Sequence, residues 1–63
     1  MWVLQRIEDK KFVAKSEITQ MTGSTYTSSL RNAKKFNNKE EAIADSCIEN
    51  EVPIQIDPYD YFK

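Results

Sequence analysis

The chain has 63 residues, 40% hydrophobic and 30% charged, with a formal net charge of −1, no histidine and one cysteine. A single domain of this length buries only about 60% of the surface that its unfolded form exposes, so the core is small and a partner or second copy would help it. The cysteine count excludes an internal disulfide framework and a cysteine-built zinc site, the composition points away from disorder, and the near-neutral charge is unlike that of a dedicated nucleic-acid binder.

No apolar run approaches the roughly 20 residues that a membrane span needs, and the amino terminus lacks the layout of a signal peptide. A cytosolic protein of one domain, residues 1–63, is expected. Charge is divided along the chain: residues 1–38 carry seven Lys or Arg against three acids, and residues 39–63 carry two against seven. Such a division marks a partner surface unless the fold mixes the halves in space.

Trp2 to Ile7 and Lys11 to Lys15 are rich in strand-favouring residues. Glu8, Asp9 and Lys10 between them are few enough for a hairpin turn. Residues 16–29 are dominated by Thr, Ser and Gln, with the only glycine at Gly23; Thr25 to Thr27 reads as a short third strand after a turn there. Leu30 and Ala33 allow one helical turn, and Phe36 stands near the position of a hydrophobic staple.

The helix start is the clearest local signal. Asn38 is a good N-cap, Glu41 three residues on completes a capping box, and Glu40 and Glu41 suit the positive end of the helix dipole. Spacing puts Ile43, Ala44, Cys47 and Ile48 on one stripe. Val52, Ile54 and Ile56 then alternate with Pro53, Gln55 and Asp57 as a half-buried strand, with Pro53 at its start or on an edge. The end, residues 57–63, is an acidic aromatic tail. The order is ββ(β)αβ, an α+β fold in which one amphipathic helix crosses a small antiparallel sheet. Trp2 or Val3, Leu4, Phe12, Ile54 and Ile56 are expected on the sheet's inner face.

Catalysis is not expected. The commonest general base near neutral pH is missing, and Cys47 lies on the apolar stripe without a histidine partner. Glu40 and Glu41, or Glu49 and Glu51, are explained by a helix end and a solvated surface, so no metal or cofactor is expected. A helix-turn-helix spanning residues 16–31 fails at its packing positions, where the second helix would offer Thr and Ser.

Two binding surfaces remain. Tyr59, Tyr61 and Phe62, with Asp57 and Asp60 between and beside them, suit a protein interface in which aromatic rings anchor and charge sets specificity. At least one of these rings is expected to complete the core instead. Arg31, Lys34, Lys35 and Lys39, interleaved with Tyr26 and Phe36, form the best basic cluster for nucleic acid.

The Trp2-Val3 strand, the pattern Tyr26, Leu30, Ala33, Phe36, and then Glu40-Glu41-Ala42 resemble small orphan proteins encoded by bacteriophages and prophages. That resemblance implies an accessory protein acting on a host factor, as anti-CRISPR and other host-takeover proteins do, in the host cell's cytosol. The group has no shared catalytic motif. The expected function is therefore a non-enzymatic interaction protein that binds and inhibits a host or defence protein, such as a CRISPR or other nuclease. Tyr59, Asp60, Tyr61 and Phe62 would be its anchors, and Glu49, Glu51 and Asp57 the surrounding charge. The alternative is a small nucleic-acid-binding regulator using Arg31, Lys34 and Lys35. A homodimer fits the small core.

Overall fold

The computed structural model describes residues 1–46 and 49–62. In chain order the elements are β1 (Trp2–Arg6), β2 (Phe12–Val13), α1 (Ser16–Thr22), β3 (Tyr26–Thr27), a 3-10 turn (Leu30–Asn32), α2 (Lys39–Asp45), β4 (Glu51–Gln55) and α3 (Pro58–Tyr61). The strands form one antiparallel sheet in the order β3-β2-β1-β4, and the fold is a small α+β one.

The β1–β2 hairpin closes around Asp9. Its carboxylate accepts from the Lys11 backbone N–H at 3.1 Å and from Arg6 Nε at 3.0 Å, with a further contact from Arg6 Nη2. Lys10 completes the turn in the left-handed region at φ 64°. Beyond the pair Gln5–Phe12 the two strands part. Residues 32–36 fill the gap: Ala33 pairs with Ala14, and Phe36 exchanges both backbone hydrogen bonds with Trp2.

Burial runs through consecutive residues of β1. Val3 and Leu4 are both fully buried. Neighbouring side chains on a strand point to opposite faces, so both faces of the sheet's centre are covered. Register shows the consequence. Val3 lies opposite Ile54 and Gln5 opposite Val52, whereas Leu4 lies opposite Pro53. Leu4 and Ile54 therefore belong to different faces, which corrects the expectation of one shared inner face.

Pro53 sits in the middle of β4, an edge strand. The backbone groups of Trp2 and Arg6 bond to Phe36, Lys10 and Lys11, away from β4. Leu4 shares their parity, so its partner Pro53 occupies a non-hydrogen-bonded pair and its nitrogen faces outward. The donor that proline lacks is one that β1 does not need.

In α2, Asn38 Oδ1 accepts from the Glu41 N–H at 2.9 Å, as expected. The return half of the box is displaced by one residue, since Glu41 Oε2 accepts from the Asn37 N–H at 3.1 Å. The helix lies against β1 and β4 through Ala42, which is fully buried. Ile43 is 40% exposed and Ala44 is exposed, so the inward face is turned from the expected stripe; Cys47 and Ile48 lie outside the described residues. The short alanine lets two helical turns approach the strands closely.

Two further helices join the expected one. α1 ends at Gly23, whose φ of 75° and N–H bond to the Thr19 carbonyl make a left-handed cap. It buries none of its residues fully, and Met21 is 80% exposed. After it the chain forms β3 and the 3-10 turn, so residues 24–31 hold no second α-helix and the helix-turn-helix considered for residues 16–31 is absent.

Candidate binding surface of the carboxyl-terminal turn

The final aromatic residues are sorted by a one-turn helix. Asp57 Oδ1 accepts from the Tyr59 N–H at 2.9 Å, and Pro58 follows at the first helical position, where its missing donor costs nothing. Tyr59 and Phe62, three residues apart, share a side of the turn, and Tyr61 points the other way. Tyr61 is 2% exposed, Tyr59 76% and Phe62 65%. The Tyr61 hydroxyl donates to the Ala33 carbonyl at 2.9 Å, and the Phe62 ring meets the Tyr61 ring edge-on with centroids 5.0 Å apart. An exposed ring is thus held against a buried one.

The basic residues approach the same place. The Ala14–Ala33 pair sets Lys15, whose N–H donates to the Asn32 carbonyl at 3.0 Å, beside the residues that lead to Lys34 and Lys35. Lys15 Nζ stands 5.3 Å from the Tyr61 ring centroid, and Lys35 Nζ stands 5.7 Å from Tyr61 and 5.3 Å from Phe62. These are cation–π distances. An open groove of about 330 Å³ is lined by Lys15, Ser16, Glu17, Lys34 and Lys35. The aromatic tail and part of the basic cluster, separate candidates in the sequence, form one surface.

Other candidates fall elsewhere. Lys34 pairs with Asp45 at 2.8 Å, which joins the basic and acidic halves of the chain. Its ammonium is also 5.4 Å from the Phe36 ring. Arg31 is exposed on the 3-10 turn. Tyr26 is engaged by Arg6, whose guanidinium lies 4.0 Å over its ring. Glu51 is 7% exposed and accepts from the Tyr26 hydroxyl, so it braces β4 against β3's tyrosine and does not belong to a solvated rim. Glu49 is exposed with Arg6, Ile7, Glu8 and Asn50 around a separate hollow, and Asp60 is exposed on α3. Of the seven residues expected to meet a partner, Tyr61 and Glu51 are taken into the interior. Lys15 was not anticipated, because its place depends on a strand pairing between residues 14 and 33.

Among the described residues no group of three or more carboxylate or thiol side chains is gathered as a metal would require, and no helix is long and apolar enough to cross a membrane.

No protein-family model, curated protein or solved structure matches the chain. The functional reading therefore rests on the surface itself.

Proposed function

We propose that this chain is a non-enzymatic interaction protein whose anchors are Tyr59 and Phe62, presented on the one-turn helix α3. The observation that carries the reading is the split of the tail: one ring is spent in the core to hold the turn while two remain largely exposed. Phe62, fixed edge-on against buried Tyr61, supplies contact area with little loss of side-chain freedom on binding, as interface anchors do, and Tyr59 adds a second exposed ring beside it. The resemblance to phage accessory proteins extends the proposal to a target: a host or defence protein, such as a nuclease, whose action is inhibited by occlusion.

The test is capture. Tagged wild-type chain and a Tyr59→Ala/Phe62→Ala variant are passed through extract of a bacterial host, and any retained protein is purified and its binding remeasured. The reading predicts a partner that the wild type holds and the variant loses, with the variant's thermal unfolding unchanged. An identical retained set from both would overturn it.

A second reading, binding of nucleic acid, is favoured by one observation, the nearness of Lys35 to the exposed Phe62 ring. Steeply salt-dependent binding of generic DNA would support it.

A further inference from the structure

Lys15 and Lys35 are twenty residues apart in the chain, yet both ammonium groups stand over the Tyr61 ring. Among the described residues the ion pairs are Arg6–Asp9 and Lys34–Asp45, and neither includes Lys15 or Lys35. They share the wall of one groove with Ser16 and Glu17, and the exposed Phe62 ring adjoins Lys35. Like charges gathered at a surface are tolerated because water screens them. An anion placed between them interacts with both at once.

We infer that this groove receives a short acidic segment of a protein partner, its carboxylates against Lys15 and Lys35 and an apolar neighbour against Phe62. The inference rests on the protein-binding reading above and specifies the partner's chemistry. Charge complementarity selects the occupant, and the surroundings select its length. Glu17 stands on the groove wall, Asp45 already neutralises Lys34, and Asp57 and Asp60 lie on the turn that carries Phe62. A nucleic acid strand brings a negative charge at every nucleotide and would run out of the groove onto these acids. Two or three carboxylates on a peptide need not leave it.

The experiment is a ¹H–¹⁵N NMR titration of the full chain with three probes. These are an acetylated, amidated Glu-Asp-Glu-Phe peptide, its Gln-Asn-Gln-Phe counterpart, and an oligothymidylate of eight nucleotides. The inference predicts that the acidic peptide shifts the signals of Lys15, Lys35 and Phe62, while its amide counterpart does not. It also predicts that binding weakens about tenfold in Lys15→Gln/Lys35→Gln, whereas Lys11→Gln, on the distant hairpin, has no effect. Equal binding of both peptides, tighter binding of the oligothymidylate at these signals, or no shift at millimolar peptide would each overturn it. Partner capture that still depends on Tyr59 and Phe62, with no peptide response, would remove the acidic segment and leave the proposed function standing.

Discussion

The Tyr61 hydroxyl and the Ala33 carbonyl are joined by a buried hydrogen bond of 2.9 Å across 28 positions of sequence. This bond seats the last helical turn on the segment that closes the gap between β1 and β2, and so fixes where Phe62 can project. Tyr61→Phe removes the donor and leaves a buried carbonyl unsatisfied, at a cost of about 1–2 kcal/mol. In a domain this small the unfolding midpoint should fall by several degrees. Phe62→Ala should leave the midpoint near wild type and act on partner binding alone. Thermal denaturation of both variants checks the division, and the reverse pattern would mean that the core and anchor roles are exchanged.

The Asp9 carboxyl is held at about 2, down from an ordinary 3.8, first by its hydrogen bond from Arg6 and also by the Lys11 backbone N–H. Because its folded pKa is depressed, the stabilisation is present above the ordinary carboxylate value and is lost as pH falls through about 2. The pair is exposed, so the effect should be modest and should shrink in high salt. Carboxyl NMR titration of wild type and Arg6→Gln should show the Asp9 midpoint rising toward 3.8 in the variant. An unchanged midpoint would mean that the backbone contact alone accounts for the shift.

Lys10 occupies left-handed backbone at φ 64°. A β-branched side chain fits that region poorly, so Lys10→Val should destabilise by about 1–2 kcal/mol. Lys10→Gly should be neutral or mildly stabilising, because the relief of strain is offset by about 0.4–1 kcal/mol of added freedom in the unfolded chain. Urea unfolding midpoints in the order Gly, Lys, Val from highest to lowest would bear this out.

What the sequence disclosed follows the range of the forces involved. The hairpin, the edge position of Pro53 and the Asn38 cap rest on residues close together in the chain, and each has its counterpart in the structure. α1 escaped because Ser16, Thr19 and Thr22 are weak helix formers and Ile18 and Met21 give it no buried stripe. The tail's short helix did have a signal, Asp57 followed by Pro58, a cap and a first-turn residue in sequence. The basic–aromatic surface had none, because the Ala14–Ala33 pairing that assembles it is a tertiary event.

The missing N–H of Pro53 faces the open side of β4. Pro53→Thr would supply an outward donor between those of Glu51 and Gln55, giving the edge an unbroken row of hydrogen-bonding groups. The expected outcome is concentration-dependent association, measured by light scattering after gel filtration, under conditions where the wild type shows less. Equal association of both proteins would show that the proline does not guard this edge.

At the opposite border of the sheet, β3 has only two residues. A strand from another molecule thus finds one margin interrupted and the other too brief to zip along. Under the proposed function, recognition would then be written in rings and charges projecting from the scaffold, not in a shared backbone ladder. Such a surface can change its choice of target one side chain at a time while the pleated frame beneath it stays as it is.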